Sequence, residues 1–334
     1  MILVVSLIGL VGCSKETSKE EELEKKIAEL EKKVEQERKE KEAALKEQEE
    51  KEKEEEEQEE QVILVDVVDP NTQKVIKTIN PVEMGYGTDY EKYKADIETW
   101  VTGLARGSEN TVGYDQRMVP DKIGLNGEII KGKPRIILEE SELVERVMNA
   151  SEKGGAIELP LYVYESGYEP EEAASLSEVT IASYTTYFNN GVTGRSKNIE
   201  LSAAAINNVI LGTKDIFSFN TTVGPSDAAH GYQPAPEILN GKLVDGIGGG
   251  ICQTSSTLFN AVDKLGVSYI EWHHHSLNVG YVPKGRDATV SYGGLDFRFE
   301  NTTGIPLLIK AIVNEGSLTV EVRTSKENQA LLAQ

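Results

Sequence analysis

Gly246-Ile247-Gly248-Gly249-Gly250-Ile251-Cys252-Gln253-Thr254-Ser255-Ser256 decides how the C-terminal half of this chain of 334 residues is read. The glycines allow positive φ and close backbone approach, and the run leads into apolar spacing at Leu258, Phe259 and Val262. That spacing predicts a helix over 252–265 with Gly266 as its stop. Cys252 therefore stands at a helix N-terminus, where unpaired N–H groups and the helix dipole favour a thiolate. His273, His274 and His275 follow, on what reads as the next strand, 267–272 and beyond. On a strand His273 and His275 share one face and His274 takes the other.

Working outward, strands are expected at Phe217 with Phe219 and in two final segments, 307–313 and 317–322, joined through Asn314-Glu315-Gly316. Asn240-Gly241 between two apolar stretches is a two-residue hairpin signal. A helix over 199–211 presents Ile199, Ala203, Ile206 and Ile210 on one face. These elements predict a mixed-sheet α+β domain over 179–325, followed by a tail, 326–334.

Before it, residues 61–165 alternate strand and helix signals and predict a small α+β domain. It has a strand at 62–68 and a helix at 90–104 with Asp89 as N-cap and Tyr93, Ile97, Trp100, Val101 and Leu104 apolar. A strand at 134–138, a helix capped by Ser141 and a strand at 157–163 complete it. Residues 166–178, with Gly167 and Pro170, read as a linker.

Residues 14–60 hold 21 Glu against 12 Lys and Arg and predict a charged helical stalk. Leu23, Ile27, Leu30 and Val34 follow a four-three-four spacing that then lapses at Glu37 and Lys41, so a weak coiled-coil dimer is the alternative to a solvated single helix. Residues 1–13 form an apolar segment ending in Leu10-Val11-Gly12-Cys13, the form of a lipoprotein signal peptide, with Cys13 the lipidated residue after cleavage. The segment is too short to span a bilayer. It predicts an extracytoplasmic protein anchored by lipid to the outer face of the cytoplasmic membrane, as in a Gram-positive bacterium. The chain's net charge of −21, acidic within the stalk and beyond it, makes nucleic acid a poor partner. Two cysteines, one of them reserved for lipid, build no disulfide framework.

Several blocks carry a family resemblance: Ser183 to Phe188, Asp215 to Asn220, Gly246 to Ser256, His273 to Ser276, and Gly285 to Asp296. In this order they resemble the VanW-like domain, and the preceding module is weakly similar to the peptidoglycan-binding domain that often accompanies it. The family takes its name from an accessory gene of glycopeptide-resistance clusters. The resemblance implies a peptidoglycan L,D-transpeptidase with Cys252 as the catalytic residue, peptidoglycan stem peptides as partners and no cofactor.

That chemistry assigns roles to further residues. A thioester conserves acyl reactivity outside the cell, where no ATP is available. Gly249 and Gly250 would admit substrate, and the N–H groups of Cys252 and Gln253 would receive the oxyanion. His275, or His273 on the same face, would be the general base, with Asp287 or Asp296 orienting it. Arg286 would bind a stem-peptide carboxylate, with Ser255 and Tyr292 also facing substrate. The duller readings stay open: Cys252 as a small buried apolar residue, Arg286 and Asp287 as a structural pair, the helix hydroxyls as packing groups, and His230 as a loop residue. Zinc held by Cys252, His273 and His275 is chemically allowed, without any metal-motif spacing to support it. A binding module without catalysis, or a scaffold for cell-wall synthesis, are the competing functions.

Overall fold

The computed structural model describes residues 17–57, 62–108, 111–239 and 242–332, and the chain falls into two compact units, Met1–Leu64 and Val65–Gln334. The expected Cys13 lipid site and the Asn240-Gly241 turn lie outside the described residues.

Among the described residues the first unit contains one helix, Thr17–Glu57, of 41 residues. At 1.5 Å per residue it extends about 60 Å. Leu23, Ile27, Leu30 and Val34 are all exposed along it, and pairs such as Arg38 with Glu42 and Lys39 with Glu35 bridge successive turns. Among the described residues no helix is long and apolar enough to cross a membrane.

The second unit begins with a three-stranded sheet in the order Val75–Ile79, Val65–Val68, Gly155–Glu158, antiparallel and then parallel. Helices Tyr90–Arg106 and Glu140–Ala150 supply its partner face. Asp89 caps the first helix by accepting from the Lys92 N–H, and Tyr93, Ile97 and Val101 are buried at helical spacing against Val65, Val67, Leu143 and Val147. The second helix starts two residues earlier than a Ser141 cap would set it, with Glu139 at the cap position and no side-chain capping bond. The single strand expected at 157–163 is two, because Pro160 lacks the N–H that a continued ladder needs. Gly155–Glu158 stays in the first sheet, and Leu161–Tyr164 turns to pair with Arg135–Leu138.

A six-stranded sheet forms the larger core, in the order Val179–Tyr187, Ser317–Thr324, Leu307–Asn314, Val209–Leu211, Lys122–Ile123, Ile129–Ile130. The final hairpin closes with Asn314 opposite Ser317 and Gly316 at φ 74°, as its turn sequence requires. Leu318, Val320 and Val322 alternate inward. Residues 122–130 add the last two strands, so this sheet includes chain from before residue 165. Residues 166–178 are packed: Tyr168, Ala173 and Leu176 bury against Ile210 and Leu308, and the Tyr168 hydroxyl donates to Asp121 at 2.6 Å.

Helix Ile251–Val262 lies on this sheet beside helix Thr193–Ile206, with Leu258, Phe259, Ala261 and Val262 fully buried. A smaller sheet, ordered Ile216–Ser218, Arg298–Glu300, Ser268–Glu271, closes the other side of the core through Phe217, Phe297 and Phe299. Asp296 is fully buried and accepts from the Ser218 hydroxyl, the Asn220 N–H and Arg117, tying the two halves of the unit together.

Candidate active site at Cys252

The helix Ile251–Val262 is polar on one face although it is buried, and that face builds the site. Ser256 Oγ donates to the Cys252 carbonyl at 2.6 Å and accepts from the Ala288 N–H at 2.8 Å. Ser255 Oγ donates to the Ala288 carbonyl, and Asn260 Nδ2 donates to the Arg286 carbonyl at 2.7 Å. These bonds clamp the extended segment 286–290 along the helix. They satisfy backbone groups that would otherwise be buried without partners. The same segment is stitched to 272–275: Trp272 Nε1 donates to the Asp287 carbonyl and the Thr289 N–H to the His273 carbonyl.

Asp287 is thereby delivered to the histidines. Its Oδ2 accepts from the His275 backbone N–H and pairs with His275 Nδ1, both at 2.7 Å, while Oδ1 lies 3.2 Å from His274 Nδ1. Burial alone would raise the Asp287 carboxyl, but the His275 N–H and the His275 and His274 rings outweigh it and hold the group below the usual carboxylate range. The tautomer that donates from Nδ1 to this carboxylate leaves Nε2 of His275 as an acceptor.

The strand Ser268–Glu271 stops before the histidines, so the expected alternation fails. His273 pairs with Glu271 at 3.1 Å and does not line the cleft, whereas His274 and His275 both do. Asp296 is occupied by Ser218, Asn220 and Arg117, leaving Asp287 as the carboxylate on the histidine pair.

Cys252 is half-buried, one residue inside its helix, in a cleft of about 1390 Å³ also lined by His275, Arg195, Glu237 and Tyr281. Its thiol donates to the Val290 carbonyl at 3.4 Å. Burial pushes the thiol above its ordinary value; the Glu237 and Asp287 charges add to this and the Arg195 charge opposes it. The thiolate expected at the helix N-terminus is thus not favoured here, and the group rests as a thiol.

The glycine turn is built by contact as much as by φ. Gly248 and Gly250 have φ of 99° and 116°. A Cβ on Gly249 would lie 2.4 Å from the Ala235 carbonyl oxygen. Asn198 is fully buried and holds the turn, donating to the carbonyls of Gly249 and Gln233 and accepting from the Gln233 N–H. Among the described residues nothing accepts from the Cys252 N–H, which stays available to an oxyanion. The Gln253 N–H is not available, since it donates to the Gly250 carbonyl at 3.0 Å. Gln253 is instead a buried connector, donating to Thr186 Oγ1 and the Tyr187 carbonyl and accepting from Arg195 at 2.7 Å.

Two residues expected to face substrate are placed elsewhere. Arg286 donates to Asn260 Oδ1 and Asp263 and covers the Phe259 ring at 4.6 Å, outside the cleft. Ser255 is fully buried in the clamp. Tyr292 does line the cleft and is exposed. His230 pairs with Asp227 on the surface. Among the described residues no three His, Cys, Asp or Glu side chains gather to hold a metal ion.

Arg195, Tyr281 and Glu237 were not legible as site residues. They come from a helix start, a loop and a hairpin strand, and no local motif marks any of them.

Comparison with known proteins gives the family. The profile described as VanW like protein matches residues 194–323. YoaR of Bacillus subtilis (strain 168), an uncharacterized protein, is 39% identical over 239 residues, covering 71% of this chain and 76% of that protein. The vancomycin B-type resistance protein VanW of Enterococcus faecalis (strain ATCC 700802 / V583) is 30% identical over 139 residues, 40% of this chain and 50% of that protein. No solved structure matches. With a relative this similar across most of its length and the profile lying over the cleft, the chain belongs to the VanW-like family.

Proposed function

We propose that this protein is a cell-wall enzyme, an L,D-transpeptidase that crosslinks peptidoglycan stem peptides through an acyl thioester on Cys252. The observation that carries the reading is the common cleft of Cys252 and the His275–Asp287 pair. A thiol held above its ordinary value is unreactive until a base takes its proton, and His275 with its free Nε2 is the base in that cleft. The name of the VanW relative, a vancomycin resistance protein, supports a role connected with the cell wall in glycopeptide resistance.

In the proposed cycle the Cys252 proton passes to His275 as sulfur bonds to the carbonyl carbon of the donor peptide's last amide. The carbonyl electrons move to oxygen, which the Cys252 N–H receives. Collapse breaks the C–N bond, and the His275 proton goes to the departing D-alanine amine, leaving a thioester. An acceptor amine then gives a proton to His275 and attacks the thioester. The C–S bond breaks, the new amide forms and the thiol recovers its proton. Asp287 keeps the ring oriented throughout and stabilises its charged form. Lipidation at Cys13 would place this chemistry at the outer face of the membrane, with the helix Thr17–Glu57 as the spacer toward the wall.

The test is incubation of the purified chain and of Cys252→Ala with disaccharide-tetrapeptide muropeptides, followed by intact-protein and product mass spectrometry. The reading expects an acyl adduct and a crosslinked dimer, both lost in the variant. Muropeptide retained by folded protein with neither species formed would leave a binding module in its place.

A further inference from the structure

Arg195 is a cation in the cleft with no ion-pair partner among the described residues. It stands in the first turn of helix Thr193–Ile206, and its side chain packs on the glycine turn: a Cβ on Gly250 would lie 3.1 Å from Arg195 Cγ. Its guanidinium donates to Gln253 Oε1 at 2.7 Å and lies 5.9 Å from the centre of the Tyr281 ring. Gln253 is itself fixed by Thr186 and Tyr187, so the guanidinium is held rather than free to swing. No carboxylate among the described residues forms an ion pair with it, although Arg117, Arg146, Arg286 and Arg323 each have one. The Arg195 charge lies within electrostatic reach of the Cys252 sulfur.

A guanidinium partly withdrawn from water without an ion-pair partner favours an incoming anion, and the fork of donors that Gln253 leaves unused suits a planar oxyanion. Resting on the proposed acyl transfer at Cys252, we propose that Arg195 binds the free α-carboxylate of the peptide's C-terminal residue, so that the cleft takes peptides by their end and Cys252 attacks the last amide. The carboxylate of the departing residue lies next to the amide that is cut, which matches a cation seated beside the nucleophile. Gly250 then has a second purpose besides its φ: it leaves the space that the Arg195 stem occupies. The carboxylate-binding role that the sequence assigns to Arg286 passes to Arg195, which is on the cleft.

The experiment compares a tetrapeptide stem ending in a free carboxylate with the same peptide ending in a carboxamide. Acylation is followed by intact mass in the wild-type chain, in Arg195→Gln and in Arg195→Lys, and binding is measured by calorimetry in Cys252→Ala with and without Arg195→Gln. The expected result is a wild-type preference for the acid of about tenfold or more in kcat/KM, the scale of one lost charge-assisted hydrogen bond. Arg195→Gln erases that preference mainly through KM, Arg195→Lys restores part of it, and the amide is scarcely affected. The same preference appears in binding to Cys252→Ala and disappears with Arg195→Gln. Equal handling of acid and amide by wild type, or equal losses on both in Arg195→Gln, would overturn the role of Arg195 while acyl transfer stands. No acylation of either peptide would remove the proposed enzyme activity, and the calorimetric preference would still decide whether Arg195 grips a carboxylate.

Discussion

One oxygen of Asp287 holds His275 twice, at the backbone N–H and at ring Nδ1, each at 2.7 Å. The contact fixes both the path of the chain at 275 and the orientation of the ring. Asp287→Asn removes the negative charge that stabilises a protonated His275 ring and turns an amide N–H toward one of the two histidine rings. We expect turnover to fall about 10²–10⁴-fold, the range for a general base losing its geometry. Steady-state crosslinking kinetics check this against unchanged secondary structure by circular dichroism.

The same carboxyl sets a pH dependence of stability. Its folded-state value is held low, so the native protein binds a proton there less readily than the unfolded chain. The resulting stabilisation is present above the ordinary carboxylate range of about 4 and is lost as pH falls through the depressed value. Denaturant titration should therefore find Asp287→Asn less stable than wild type at pH 7 by about 1–3 kcal/mol. The gap should narrow at acid pH.

Cys252 titrates in the opposite sense, since burial favours its neutral form and Glu237 adds to that. Alkylation by iodoacetamide should keep rising with pH beyond the ordinary thiol value of about 8.5. Glu237→Gln removes a like charge, and the midpoint of the alkylation profile should move to lower pH. A midpoint that stays in place would show that the Glu237 carboxylate does not act on the thiol.

Gly250 has φ 116° and no room beside Arg195, so Gly250→Ala meets both backbone strain and contact. A loss of about 1–3 kcal/mol is expected by thermal or chemical denaturation. Asn198→Asp tests the turn from its other side. It keeps the size of the side chain but removes the donor to the Gly249 and Gln233 carbonyls, and a similar loss is expected.

Arg286 braces the helix from outside the cleft, through Asn260, Asp263 and the Phe259 face. Arg286→Met should lower stability by about 1–2 kcal/mol while leaving the acid-over-amide preference unchanged. A loss of that preference with full stability would return the residue to substrate binding.

The parts of the fold visible in one dimension are those whose signal is local. The Asp89 cap, the apolar face Tyr93, Ile97 and Val101, and the final hairpin with Gly316 each follow from side-chain period or turn chemistry within a few residues. The histidine run misled because a strand signal does not say where the strand ends. Once pairing stops at Glu271, the faces of 273–275 are set by Asp287 and not by alternation. The packing of 166–178 was hidden for a related reason. Its Gly and Pro content reads as a tether, while Leu176 is buried by strands distant in the chain.

By itself the sequence determined the place of Cys252 at a helix start and the family, because a glycine turn running into an apolar-periodic helix is a local pattern and the matching blocks keep their order. Tertiary structure decided the rest of the site. His275 was paired with a carboxylate 12 residues away in the chain, the thiol was raised by burial, and Arg195 was brought to the cleft of Cys252 by the packing of two helices. Burial and long-range charge depend on which surfaces meet, and no local pattern in the chain specifies that.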